Sequence, residues 1–202
     1  MSKKTNFFWA SYADLMTSLF FIMLVLFVLA VSMMKKKAIA NERELDKIKE
    51  IQNSVKELDA KYFSYQDEYK RFTLKEQIQF DPAKSDIKEK YKKYLLDVGE
   101  NIEALITRLQ TQYKKNDIKY MIIIEGMASN DLYKDNDGLS YRRALSLLKL
   151  WENNNIKFDS NFCELQVAGS GTRGVGRYTG KSERKNQQFL IQIIPKIGKI
   201  DN

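Results

Sequence analysis

Apolar positions are bunched at the front of the chain. From Leu15 to Met34 the sequence LMTSLFFIMLVLFVLAVSMM carries no charge, and a run of about 20 apolar residues is what a helix needs to cross a bilayer's hydrocarbon core. FFWASYA extends that character back to Phe7, so Phe7, Phe8, Trp9 and Tyr12 are placed to form an interfacial aromatic belt. Ala30-Val31-Ser32 reads as a small-x-small cleavage site. The run nevertheless exceeds the roughly 7–15 residues of a signal-peptide core, and an acid, Asp14, stands at its front. An uncleaved anchor is therefore expected, with residues 1–37 forming a tail and a transmembrane helix. Lys3 and Lys4 precede the span, and Lys35, Lys36 and Lys37 follow it. That near balance leaves the orientation open.

Past Lys37 the pattern becomes charged and helix-friendly, with no Gly or Pro up to Phe72. Ile48, Ile51, Val55, Leu58, Tyr62, Tyr65, Tyr69 and Phe72 follow each other at spacings of three and four. This predicts a helical linker over 38–73 with a coiled-coil seam, the alternative being an amphipathic helix packed on its own domain.

From Leu74 the period changes. Leu74–Phe80 alternates loosely, as a half-buried strand does, and Asp81-Pro82 ends it. Ile87–Tyr113 reads as a helix with Tyr91, Leu95, Val98, Ile102 and Leu109 on one face. Tyr120–Ile124 is a β-branched run typical of a central strand, Leu139–Trp151 a second helix, Phe162–Val167 a strand, Gly169–Gly180 a glycine-rich loop, and Gln188–Ile194 a last strand closed by Pro195. The order βαβαββ over 74–202 predicts an α+β domain: a small mixed sheet with helices on one face.

Composition narrows the chemistry. Lys and Arg number 34 against 26 Asp and Glu, a net charge of +8. This favours anionic partners, but the lysines are interleaved with acids and no nucleic-acid reader motif is present, so nucleic acid is not expected as a partner. There is no His, which removes His-ligated metals and His acid–base catalysis. A lone Cys163 excludes an intrachain disulfide framework and multi-Cys metal sites. The loop GSGTRGVGRYTGK lacks the GxxxxGK[ST] spacing of a phosphate cradle. With no nucleophile–base pair or carboxylate dyad to place, the chain is not expected to be an enzyme or to carry a cofactor.

Position alone leaves Asp14 open between two readings. One is an interfacial helix cap; the other is an intramembrane ion carrier. Trp9-Ala10-Ser11-Tyr12-Ala13-Asp14-Leu15-Met16-Thr17 resembles the W-x-x-[YF]-A-D-[LF]-M-[TS] signature of MotB-type stator subunits. In that family the segment opens the only transmembrane helix, and its Asp carries the translocated proton or sodium ion. The resemblance implies Asp14 as the ion carrier with Tyr12 and Thr17 as neighbours on the ion path. Tyr12, in place of Phe, leans toward protons.

The domain resembles OmpA-like peptidoglycan-binding domains over roughly Leu74–Lys196. Phe80-Asp81, Ile124-Glu125-Gly126 and Asn186-Gln187-Gln188-Phe189 stand where that family's words stand, and Asn136, Leu139, Ser140, Arg143 and Ala144 reproduce its N-x-x-L-S-x-x-R-A. The resemblance implies that Arg143 takes the carboxylate of a diaminopimelate side chain, with Asn136 and Leu139 lining the pocket. The family's G-H-T-D is here Gly126-Met127-Ala128-Ser129, which lacks the Asp that receives the ligand's amine; Asn130 and Asp131 follow and are the candidates to replace it through a loop shift.

Together the two resemblances imply a homodimer in the bacterial inner membrane, N-terminus cytoplasmic and domain periplasmic. It would bind peptidoglycan and sit inside a pentameric polytopic MotA- or ZorA-like motor subunit. The wider stretch F-W-x-S-Y-A-D-L-M-T-x-L-F is closer to ZorB, the stator-like subunit of Zorya anti-phage systems, than to flagellar stators. A flagellar stator subunit and a passive membrane-to-wall tether are the alternatives.

Overall fold

The computed structural model describes residues 5–113, 118–131 and 133–197, without the side chains of 5–7, 43–44, 47 and 197. Lys3, Lys4 and the Phe7 side chain, read above as flanks of the span, lie outside the described residues. The chain divides into two compact units, Met1–Ile48 and Lys49–Asn202.

Helix α1 runs over Thr5–Val55. Its stretch Phe8–Glu42 is, among the described residues, the one helix long and apolar enough to cross a membrane. Leu24, Val25, Phe27 and their neighbours are exposed on it. A continuous apolar sleeve of this size is stable only against another apolar medium.

Here the structure departs from the predicted linker. The helix stops at Val55, and the chain turns into a hairpin of β1 (Phe63–Gln66) and β2 (Arg71–Leu74). Ile51, Val55, Leu58, Phe63 and Phe72 are buried in the core of the second unit instead of forming a coiled-coil seam. Intervals of three and four fit a heptad, but those apolar side chains find a core nearby within their own domain, and past the helix end the chain reverses at the tight turn Asp67–Lys70. Lys70 sits at φ 50°, a left-handed conformation uncommon outside Gly and Asn, with the Tyr69 N–H donating to the Gln66 carbonyl at 3.2 Å. The strand predicted over Leu74–Phe80 is likewise absent. Leu74 ends β2, and the following segment runs irregularly while burying Ile78 and Phe80.

The rest follows the pattern: α2 (Glu89–Gln112), β3 (Ile118–Met127), α3 (Asn136–Asn153), β4 (Cys163–Gly171), a 3₁₀ turn over Gly180–Asn186, and β5 (Phe189–Ile197). Among the described residues the sheet is mixed, in the order β1-β2-β5-β3-β4. β3 pairs parallel with β4 through the α3 crossover and antiparallel with β5. Ile118, Tyr120, Ile122 and Ile124 alternate into the core, where Trp151 of α3 donates its indole N–H to the Leu95 carbonyl of α2 at 2.8 Å. Pro195 does not close β5 but lies within it. There β5 is paired on the β3 side only, so the missing N–H costs no ladder bond.

One cross-strand pair sets how α3 rests on the sheet. Gly126 of β3 stands opposite Gly169 of β4. A Cβ on Gly126 would run into the Ser140 carbonyl oxygen, and one on Gly169 would come within 2.5 Å of the Tyr141 nitrogen. The bare backbones let the first turns of α3 settle directly on the strands. Gly126→Ala is therefore expected to cost about 2–3 kcal/mol through overpacking, read as a lower urea midpoint for the domain with m unchanged.

Candidate functional site

In the first unit the site is one carboxylate on a helix. Asp14 shares its side of α1 with Ser11, Thr17 and Ser18, three or four residues away. The Thr17 hydroxyl donates to the Ala13 carbonyl at 2.7 Å, which satisfies it inside an apolar surrounding. Tyr12 stands about 200° round the axis from Asp14, its ring edge-on to Trp9 with centroids 6.3 Å apart. The helix thus brings Thr17 to Asp14 and points Tyr12 elsewhere.

In the second unit, α3 and the β3–α3 loop supply the rest. Asp135 caps α3, accepting from the Gly138 N–H at 3.0 Å, as a short acid does at a helix start. This fixes the loop's exit, with Asn136 at the first position of the helix. The Asn136 amide donates to the Tyr133 carbonyl at 2.9 Å and to Asp131 Oδ1 at 3.3 Å. Its own Oδ1 is buried and has no hydrogen-bond partner among the described residues.

Asp131 is exposed and accepts further bonds from the Tyr133 N–H at 3.0 Å and the Ser129 hydroxyl at 3.1 Å. Burial alone pushes its carboxyl up. The Tyr133, Asn136 and Ser129 hydrogen bonds and the Arg143 charge outweigh burial and hold it below its ordinary value, so it is anionic at neutral pH.

Arg143, two turns along α3 from Asn136, is only 3% exposed. Its guanidinium lies over the Phe80 ring, 4.5 Å from the centroid, and its Nε donates to the Lys84 carbonyl at 3.1 Å. The two terminal amino groups make no hydrogen bond among the described residues. Burial pulls the guanidinium below its ordinary value, and Asp131 opposes that shift. Leu139, read from the sequence as a pocket residue, is buried at 2% exposure and does not line the groove described next.

That groove, of about 750 Å³, is lined by Gln77, Gln79, Phe80, Pro82, Ser129, Asn130, Asp131, Glu183, Arg184, Lys185 and Gln187. Phe80 is shared: it faces the groove and carries Arg143 on its ring. The walls combine acids, bases and amides over an apolar patch, suiting a small ligand with both a carboxylate and an amine. Of the sequence-predicted residues, Asn130 and Asp131 line the groove, while Asn136 and Arg143 are held beside it through Asp131 and Phe80. Sequence reasoning missed Phe80 as the platform for Arg143, and missed Glu183, Arg184 and Lys185 altogether. The signal for the last three was the charge cluster just past the glycine-rich loop. Among the described residues no group of His, Cys, Asp and Glu is arranged to hold a metal.

No protein-family model matches the chain, and no curated protein does. Among solved structures, the periplasmic domain of Helicobacter pylori MotB is similar at 16% identity over 65% of this chain and 86% of that one, with a TM-score of 0.47. The cell wall anchor of the T6SS from Pseudomonas aeruginosa is similar at 15% identity, over 67% of this chain and 88% of that one, with a TM-score of 0.42. The OmpA-like domain of FopA1 from Francisella tularensis is similar at 17% identity, over 69% and 82% of the two chains, with a TM-score of 0.36.

Proposed function

We propose that this chain is the wall-gripping, ion-carrying subunit of a rotary membrane motor, MotB-like in plan and of the non-flagellar kind found in Zorya anti-phage systems. The observation that carries the reading is a single carboxylate, Asp14, set in W-A-S-Y-A-D-L-M-T at the mouth of a helix that stays uncharged from Leu15 to Met34. A second domain on the same chain supplies an amphoteric groove next to a partly committed arginine. In this reading α1 crosses the inner membrane from a cytoplasmic N-terminus. Two copies sit within a pentameric polytopic partner, and the domain reaches peptidoglycan in the periplasm. Asp14 takes a proton from one side and gives it up on the other. Each neutralisation and recharging changes its fit to the partner ring and biases the ring's rotation.

At the wall, the free edge of the Arg143 guanidinium receives a carboxylate through paired N–H bonds, and Asp131 receives the neighbouring amine. The test of this half is co-sedimentation of the detergent-solubilised full chain with purified sacculi. Asp131→Asn keeps the loop's hydrogen-bonding shape and removes its charge. It is expected to weaken binding about tenfold, equal to roughly 1.4 kcal/mol. Binding unchanged by that substitution would remove Asp131 from the contact.

A further inference from the structure

The connection between β4 and β5 carries an ion pair unlike the others. Arg177 and Glu183 meet at 2.7 Å with side chains 15% and 27% exposed, less exposed than any other ion pair among the described residues. Neither side chain is spent on that contact alone. Arg177 also donates to the Gly171 carbonyl at 3.1 Å and the Ala128 carbonyl at 2.9 Å. The same Glu183 oxygen accepts from the Asn130 N–H at 2.7 Å and from Asn186 at 2.9 Å. Asn186 is fully buried and pins Tyr178 from both sides, donating to its carbonyl and accepting from its N–H at 2.9 Å each. Gln187 donates to the Ser129 hydroxyl at 3.0 Å, and that hydroxyl donates to Asp131.

Ala128, Ser129 and Asn130 are thus gripped one after another from the β4–β5 connection, and the next residue is Asp131. We propose that Arg177 and Glu183 form a latch that positions the Asp131 carboxylate for its ligand's amine; this rests on the reading of the groove given above. The latch does not touch the ligand carboxylate's partner. Arg143 is held separately, by Phe80 and the Lys84 carbonyl. Its two halves are therefore separable: loosening the latch removes the contribution of the amine and leaves that of the carboxylate.

The experiment uses the full chain in detergent and two synthetic probes. One is an L-Ala-γ-D-Glu-meso-diaminopimelate tripeptide, and the other is the same peptide with the distal amine replaced by hydrogen. Wild type is expected to prefer the first about tenfold. Glu183→Ala is expected to bring that preference near unity, its affinity for the amine-bearing peptide falling about tenfold more than its affinity for the amine-free one. Glu183→Gln, which keeps an acceptor for the Asn130 N–H, is expected to recover most of the preference. Arg177→Lys keeps a cation beside Glu183 but cannot bridge both carbonyls at once. It is expected to show the same selective loss in part, and it serves if Glu183→Ala proves too unstable to purify. A preference that survives in Glu183→Ala, or equal weakening of both peptides, would overturn the latch. A wild type with no preference for the amine would overturn the reading of the groove, and the latch with it.

Discussion

On the function proposed above, cells carrying Asp14→Asn are expected to lose all ion-driven activity, while the full-length protein stays in the membrane at wild-type amounts. Asparagine matches aspartate in shape and can still cap or hydrogen-bond, but it cannot alternate between charged and neutral forms. Removing the charge makes insertion easier: an Asp at the centre of a span costs roughly 2.5–3.5 kcal/mol, and less near an end. A loss of function cannot then be assigned to failed insertion. The measurement pairs an activity assay in the presence of the partner subunit (phage protection or motility) with an immunoblot of membranes. Full activity in Asp14→Asn would reduce α1 to an anchor and the chain to a tether.

Arg143→Ala is expected to release the protein from the wall and to weaken the domain as well. The substitution deletes the cation over Phe80, worth about 0.5–2 kcal/mol when partly desolvated. It also leaves the Lys84 carbonyl without its donor, at about 1–3 kcal/mol. A drop of about 1.5–5 kcal/mol in domain stability should follow as the sum of those two losses, visible in urea unfolding. Binding to sacculi should fall by about 10–100-fold, the span of a hydrogen-bonded charge worth roughly 1.5–3 kcal/mol. Arg143→Lys separates the effects. It keeps a cation but has no planar fork for a carboxylate, so affinity should remain low while part of the stability returns. Sacculus binding at wild-type strength in a folded Arg143→Lys would show that the fork is not used.

The helices and the inner strands were legible because their signals are dense and local. The expected helix Ile87–Tyr113 is α2 at Glu89–Gln112, and the β-branched run at Tyr120–Ile124 sits inside β3. The N-terminal hairpin was illegible for an identifiable reason. Its turn, Asp67-Glu68-Tyr69-Lys70, holds no Gly, Pro or Asn, and the left-handed residue is a lysine. Without a turn signal, apolar positions at intervals of three and four continue a helix on paper. At the site, Asn136 and Arg143 came from the resemblance to N-x-x-L-S-x-x-R-A, and Asn130 and Asp131 from the place where that family's G-H-T-D stands, all within one short stretch of chain. Phe80 and Glu183 lie some fifty residues away on either side of that loop, and only the folded sheet brings them in.

The last turns of α1 have a mechanical meaning. Ile51 and Val55 are 1% and 4% exposed and belong to the core that also holds Phe63 and Phe72. The end of α1 therefore belongs to the domain it enters, as one of the pieces on which that domain's interior closes. Peeling that turn away from the domain requires extracting an isoleucine and a valine from a close-packed interior, on the order of 3–6 kcal/mol for the two.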